Sequence, residues 1–507
     1  MCGVVGVYAP GQEASSIAAL GLFALQHRGQ ESAGVAVSDS DGLMVYKDLG
    51  LVAQVLEEQR MASLRGDRAI AHCRYSTTGS SVWENSQPTL RLGPKRQVAM
   101  GHNGNLVNTR ALLEMLPGGR SRLVGSSDTD LLTALLAAEP GADMVEALAA
   151  LLPRVQGAYS LVVMDETRVI GVRDPYGFRP LVLGRLPLEP IVDEHAPAAQ
   201  PGDTVPLPWH ADKGPMDPTE AAAAARHRRG WVLALETAAL DVLGAEFVRE
   251  VEPGEMIVLG EEGGPRSIRF APGKEQLCVF ELIYFARPDS YMLGRNLYEA
   301  RRRMGEQLAE ESPVEADLVM PVPDTGAPAA AGYAERSGIP YREGMVKNRY
   351  AGRTFIQPSQ HMRQRGVNMK LSPLRETVRG KRLIVVDDSI VRGTTTKQIV
   401  QLLRRAGAAE VHLRISAPPI FHPCFYGIDT QIETELIASR MDLDGVRDFV
   451  GADSLAYLSI QGVLKGIDLP RERFCFACFD GKYPVPVPYD AGSRKFMLEP
   501  VVGVIGG

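Results

Sequence analysis

The 507-residue sequence has no apolar run near the roughly 18 residues needed to cross a bilayer, which argues against a membrane protein. Its start, MCGVVGVYAP, lacks the basic segment of a secretory leader, so a cytoplasmic protein is expected. There is no excess of positive charge either. A net charge of −6 supplies no global field to neutralise phosphates, and general nucleic-acid binding is not expected. Cysteine is scarce, limited to Cys2, Cys73, Cys278, Cys424, Cys475 and Cys478. In a reducing compartment these are not expected to pair as structural disulfides, which leaves catalysis, metal binding or plain burial.

The length exceeds one ordinary core and suggests two or three domains. In the first half, GVVGVYA, SAGVAVSD, LMVYKD, RAIAHCRYS, QVAMGHNG and YSLVVMD read as short strands. Helical spacing over Ser16–Gln26 and Asp130–Glu139 adds two helices, so stacked sheets flanked by helices are expected. From Pro187 to Arg229 the chain turns rich in Pro, Ala and charge. Its flanks, RPLVLGRL and GWVLALETAAL, read as the two strands of one hairpin, which makes 187–229 an insertion extruded from a turn. The second half alternates strand and helix (ADLVMPVPD, AAAGYAERSG, KRLIVVDD, TKQIVQLLRRAG, EVHLRISAPPI), the pattern of a parallel sheet. A boundary at 271/272 divides the chain into domains 2–271 and 272–507.

Two stretches carry chemistry. In KRLIVVDDSIVRGTTTKQIVQLLRRAG a buried strand ends in Asp387 and Asp388, and a Ser/Gly/Thr turn leads into a helix. Ligands bind at that edge of parallel sheets, and the backbone N–H groups of the turn, Gly393 among them, with the hydroxyls of Ser389, Thr394, Thr395 and Thr396, suit a phosphate. No GK[ST] occurs here and no GxGxxG, which excludes the common nucleotide loops. Adjacent carboxylates on such a loop suit ribose hydroxyls and an associated Mg²⁺, against the plainer reading of a helix cap. The second stretch is the N-terminus. Removal of Met1 would give Cys2 a free α-amine beside its thiol, a nucleophile with its own base. Between Arg342 and Arg382 eleven Lys or Arg stand against two Glu, a basic segment suited to a small anion or simply a solvated face.

The VVDDSIVRGTT loop resembles the phosphoribosylpyrophosphate loop of type I phosphoribosyltransferases. MCGVVGVYAP, LQHRGQESAGVAV, AHCRYSTTG, GHNGNL and GSSDTD resemble, in order and spacing, the class II glutamine amidotransferases. As a whole the chain is similar to the glutamine phosphoribosylpyrophosphate amidotransferases, which open de novo purine synthesis. That resemblance implies an α/β two-domain fold, an N-terminal-nucleophile α-β-β-α sandwich followed by a type I phosphoribosyltransferase domain with a parallel sheet. It implies that Cys2 is the nucleophile and that the Asn103 side chain and the Gly104 N–H receive the oxyanion. Arg74 would clamp the glutamine α-carboxylate and Asp128 the α-ammonium, although Asp128 could equally be the N-cap of the helix that follows, or serve both roles. Lys347, Arg349 and Arg353, in a flexible loop, would contact pyrophosphate, and Thr325 with Asp387 and Asp388 would serve Mg²⁺. Purine nucleotide inhibitors and a homotetramer are further implications of the family, as are glutamine and phosphoribosylpyrophosphate as substrates and the absence of nucleic-acid or membrane partners.

By spacing alone, Cys278, Cys424 and the CFAC pair Cys475 and Cys478 are open to burial, zinc or iron–sulfur. LCVFELIYFARPDS, PPIFHPCFYGID and FCFACFDGKYP resemble the cluster-bearing branch of the family, which implies a structural 4Fe-4S centre. Cys73 is expected to be a packing residue. One rival is another class II amidotransferase such as glucosamine-6-phosphate synthase, whose second half lacks the VVDDSIVRGTT loop. The other is a non-catalytic phosphoribosylpyrophosphate or purine nucleotide sensor, which has no need of Cys2, Arg74, Asn103 and Asp128 together.

Overall fold

The computed structural model describes residues 1–39, 41–140, 143–187, 230–260, 264–348, 370–487 and 497–499. The first half builds two antiparallel sheets. One has seven strands in the spatial order Glu246–Glu250, Val182–Arg185, Trp231–Ala234, Gly3–Tyr8, Arg68–Arg74, Ser32–Ser38 and Leu43–Leu49. The other has six, in the order Arg266–Arg269, Glu255–Leu259, Val169–Arg173, Gly157–Met164, Gln97–Leu106 and Thr89–Leu92. Alternation along the strands explains the stacking. In Gly157–Met164, Val162 and Met164 enter the core shared with Val5, Val35 and Ile70 of the first sheet. Tyr159, Leu161 and Val163 face the other way, toward Leu131, Leu135 and Leu148 of the helices Asp128–Ala138 and Met144–Leu151. Helix Ala14–Ala24 covers the outer face of the first sheet through Ala18 and Leu22, completing an α-β-β-α sandwich.

Val182–Arg185 and Trp231–Ala234 pair antiparallel with Arg185 opposite Trp231. The Leu186 N–H donates to the Gly230 carbonyl at 2.9 Å beyond the last pair. Residues 188–229 of the expected insertion lie outside the described residues.

The second half holds a four-stranded parallel sheet in the order Leu318–Pro321, Arg382–Asp387, Glu410–Ile415 and Ser454–Tyr457. Its second strand is apolar and buried from Leu383 to Val386 because both faces are covered. Leu383 and Val385 pack with Ile399 and Leu403 of the helix Thr394–Arg405. Ile384 and Val386 pack with Met304 of the helix Leu297–Glu311 and Tyr333 of the helix Ala327–Ser337. A short parallel pair, Leu277–Cys278 with Phe474–Cys475, ties the start of this half to its end. The halves share a core in which Val107, Ala158 and Phe178 meet Tyr426, Ala477 and Val485.

Candidate functional site

Cys2 enters the central strand of the first sheet, and Asn103 lies on the facing sheet. The Cys2 N–H donates to Asn103 Oδ1 at 3.1 Å, which orients the amide so that Nδ2 points elsewhere. That Nδ2 is buried and has no hydrogen-bond partner among the described residues. Burial pushes the Cys2 thiol up, while the N-terminal ammonium, the Tyr75 N–H at 3.5 Å and Arg74 pull it down. Gly104 stands opposite Tyr159, whose N–H and carbonyl are already bonded to Asp174 at 3.1 and 2.9 Å. The Gly104 carbonyl turns to the other edge and accepts from Thr77 Oγ1 at 3.4 Å. In extended backbone the N–H of a residue leaves on the same side as its carbonyl. A side chain at 104 would collide with the Ala158 carbonyl oxygen, 1.9 Å from an added Cβ, at a φ of +156°.

Arg74 ends its strand next to Cys2. Its guanidinium donates to the carbonyls of Ser80, Thr78 and Gly79 at 3.0, 3.0 and 3.4 Å, and Glu31 lies at 3.6 Å. Asp128 corrects one expectation: it is not the helix cap. Ser127 is the N-cap, accepting from the Asp130 N–H at 3.2 Å, and Asp128 is the first helical residue. Burial alone would raise its carboxyl. The His102 imidazole at 3.7 Å and the N–H groups of Leu106 and Thr129 outweigh that and hold it below the usual carboxylate range.

In the second half, Asp387 and Asp388 end the apolar strand. The Asp388 N–H donates to Asp387 Oδ1 at 3.0 Å, and Ser389 Oγ donates to Asp388 Oδ1 at 2.7 Å. Burial pushes both carboxyls up; Asp388 pushes Asp387 further, and Thr325, Ser389 and Arg301 pull Asp388 back. They are not the cap of the next helix, which is Gly393 at φ +73°. A side chain there would meet Ile437 Cδ1 at 2.6 Å. Thr394 and Thr395 are exposed at the helix start. Lys347 Nζ reaches Asp324 Oδ2 at 2.7 Å. Arg349 and Arg353, with most of the basic loop, lie outside the described residues.

Cys278 and Cys475 are register partners. The Tyr426 N–H donates to Cys424 Sγ at 3.4 Å, and the Phe421 N–H donates to the Cys478 carbonyl at 3.1 Å, which brings the third segment to the other two. All four thiols are buried. Burial pushes Cys278 up to about 11 and Cys475 and Cys478 well up, each with a contribution from neighbouring thiols. Among the described residues no three His, Cys, Asp or Glu side chains form a group that could hold a metal ion. Cys73 is fully buried in the sandwich core.

Several groups beside these sites escape sequence reading. Arg179 donates to the Tyr426 carbonyl at 2.7 Å and to Glu281 at 3.1 Å. Glu281 also pairs with Arg28 at 2.7 Å, and Arg28 with Glu236, all four side chains being fully buried. Gln431 Nε2 donates to the Thr77 carbonyl at 3.1 Å and Asn105 Nδ2 to the Phe425 carbonyl at 3.0 Å. An added Cβ on Gly427 would lie 3.2 Å from Gly104 Cα, so the second half abuts the strand that carries Asn103. The buried charges of this seam, Arg28, Arg179, Glu236 and Glu281, are scattered singly along the chain, so no local sequence pattern marks it.

Residues 72–191 match the glutamine amidotransferase domain family and residues 290–419 the phosphoribosyl transferase domain family. The chain is 48% identical over 510 residues to the amidophosphoribosyltransferase of Mycobacterium tuberculosis (strain ATCC 25618 / H37Rv), covering 98% of this chain and 89% of that one. To the Bacillus subtilis amidophosphoribosyltransferase it is 44% identical over 495 residues, covering 96% and 95%. The fold superposes with a TM-score of 0.82 and 43% identity on glutamine phosphoribosylpyrophosphate amidotransferase from B. subtilis complexed with ADP and GMP, covering 97% and 99% of the two chains. A second solved structure, an allosteric regulatory enzyme of purine biosynthesis, matches with a TM-score of 0.84 and 43% identity over 99% and 100%. The chain therefore belongs to the amidophosphoribosyltransferases, the enzymes that combine glutamine and phosphoribosylpyrophosphate in the first committed step of purine biosynthesis.

Proposed function

We propose that domains 2–271 and 272–507 divide this reaction, the first releasing ammonia at Cys2 and the second adding it to the sugar. With Met1 removed, the nitrogen now bonded to Asn103 Oδ1 becomes an α-amine that accepts the thiol proton. The thiolate attacks the glutamine side-chain carbonyl, and the oxyanion takes hydrogen bonds from Asn103 Nδ2 and the Gly104 N–H. The buried, unpartnered Nδ2 is the observation that carries this reading, since such a donor is costly to leave unsatisfied unless a ligand takes it. Ammonia leaves with the proton held by the amine, and water hydrolyses the thioester to glutamate. Arg74 and Asp128 hold the α-carboxylate and α-ammonium of the substrate.

Ammonia then displaces pyrophosphate from C1 of phosphoribosylpyrophosphate to give 5-phosphoribosylamine. The ribose hydroxyls are held by Asp387 and Asp388, and the 5-phosphate by the turn Ser389, Gly393, Thr394 and Thr395 at a helix N-terminus. Lys347, Arg349 and Arg353 take the pyrophosphate. The raised carboxyls of Asp387 and Asp388 fit a site completed by a cation, and Thr325 lies beside Asp388. Mg²⁺, held there, would neutralise the pyrophosphate as it departs. The close seam between Gly427 and Gly104 supports a dry path for ammonia between the halves.

Four buried thiols on three adjoining segments supply the ligand type of a structural 4Fe-4S centre, and this chemistry supports the reading, although among the described residues they do not form a ready metal-holding group. Bound there, it would cross-link the start of the second half to its end. Protein purified without oxygen is expected to be brown, with about four irons and four labile sulfides per chain. Stoichiometric zinc without iron would reject the cluster and leave the catalytic reading standing. A cytoplasmic homotetramer inhibited by purine nucleotides is proposed from the family resemblance, supported by the relative complexed with ADP and GMP. The decisive experiment for the division of labour is Cys2→Ala. It should abolish glutamine-dependent synthesis and leave synthesis from concentrated ammonia largely intact; loss of both in a folded variant refutes the assignment.

A further inference from the structure

The loop that follows Arg74 is held from two sides. On one, the carbonyls of Thr78, Gly79 and Ser80 cage the guanidinium. On the other, Glu499, near the C-terminal end of the chain, accepts on one carboxylate oxygen, Oε1, from the Ser80 N–H at 3.0 Å, Ser80 Oγ at 2.6 Å and Ser126 Oγ at 2.8 Å. Ser126 lies two residues before Asp128. Asn85 completes the circuit, donating from Nδ2 to the Ser80 carbonyl and to Ser126 Oγ, both at 2.9 Å, and accepting from the Ser126 N–H at 2.7 Å. The preceding residue anchors the segment. Leu498 is buried in the core with Leu123 and Leu131, and its carbonyl accepts from Arg120 Nε at 2.6 Å.

We propose that Glu499 is a positioning residue for glutamine binding: its carboxylate clasps the Arg74 loop to the start of the helix that carries Asp128. The two groups that grip the amino-acid end of the substrate stand on separate elements: Arg74 at the end of a strand, its guanidinium caged by the irregular loop that follows, and Asp128 at the start of a helix. Among its described contacts Glu499 bonds Ser80 and Ser126, the neighbours of the binding groups, and not Arg74 or Asp128 themselves. A loop already tied down has less conformational freedom to lose when glutamine binds, and the effect therefore falls on affinity more than on turnover. The three donors also explain the carboxyl itself, which the Ser80 and Ser126 hydroxyls hold below the usual range. The proposal rests on the reading of Arg74 and Asp128 as the glutamine-binding pair.

The test uses the full chain carrying Glu499→Ala or Glu499→Gln, assayed with phosphoribosylpyrophosphate and either glutamine or ammonia. Loss of the charged clasp should raise KM for glutamine about three- to tenfold in Glu499→Ala, the size expected for one ordinary net hydrogen bond. Glu499→Gln, which keeps an acceptor oxygen, should fall between this variant and the parent. The turnover at saturating glutamine and the ammonia-dependent rate should stay within about twofold of the parent. Amides in 76–81 should exchange faster with solvent. An unchanged KM overturns the proposal, as does a lowered KM, which would make the tail an obstruction. A parallel fall in the ammonia rate overturns it too, by reducing Glu499 to a general stability contact. An Arg74→Lys variant separates the layers. If it raises KM while Glu499→Ala does not, only the clasp fails; if it leaves KM unmoved, the Arg74 assignment falls and takes the clasp with it.

Discussion

Asn103 has two atoms with separate work, and substitutions can part them. In the proposed mechanism Oδ1, which accepts from the nitrogen of Cys2 at 3.1 Å, would hold the proton acceptor in place, and Nδ2, buried and unpartnered among the described residues, would receive the oxyanion. Asn103→Ala removes both. Removing one oxyanion donor typically costs about 2.7–4 kcal/mol of transition-state stabilisation, so kcat for glutamine hydrolysis should fall by about 10² to 10³. KM should move little, because the donor is engaged only as charge develops. Asn103→Asp keeps an oxygen to accept from the Cys2 nitrogen, yet it offers no N–H and sets a negative charge against the oxyanion. It should therefore be at least as impaired as Asn103→Ala. The assay is glutamate release and phosphoribosylamine formation from glutamine, against phosphoribosylamine formation from ammonia, which both variants should retain. An Asn103→Asp enzyme with near-parental glutaminase would refute the reasoning, since the amide would then matter only for holding the amine. Loss of the ammonia reaction would show that Asn103 instead supports the seam between the halves.

Asp387→Asn or Asp388→Asn should weaken the sugar-phosphate site and spare basal glutaminase; unchanged dependence on phosphoribosylpyrophosphate would remove the assignment of these carboxylates. Glu281→Gln should destabilise the seam by about 3–5 kcal/mol, because Arg179 and Arg28 then remain buried beside a neutral amide, read as a shift in the denaturant midpoint. His72 is fully buried, donates from Nε2 to the His102 carbonyl at 3.1 Å, and is pushed down to about 3 by burial. Its folded pKa lies below the unfolded value near 6.5, so its contribution is present above about pH 6.5 and is lost progressively as pH falls toward 3, by up to about 1.4 kcal/mol per pH unit. Unfolding titrations of a His72→Gln variant should show a shallower acid limb; an identical limb would deny the histidine this role.

What could be read in the residues themselves was local. The run of Val and Ile before Asp387 and Asp388 dictates a strand covered on both faces, and the turn after it leads into a helix because Gly393 can adopt the left-handed conformation. The alternation in Gly157–Met164 dictates which side chains face the sister sheet and which the helices. Even here a neighbour decided the detail: Ser127 caps the helix where Asp128 could have, because Asp128 is drawn to the Leu106 N–H on the adjacent strand. What only the tertiary structure decided is the company each functional group keeps. Cys2 meets Asn103 across 101 residues of chain, Arg28 meets Glu281 across 253, and Ser80 meets Glu499 across 419. Propensity and periodicity arise from contacts within a few residues, and they say nothing about which distant edges come together. That choice belongs to the packing of whole sheets and helices, where burying one charged group is tolerable only if the fold delivers its partner to the same place.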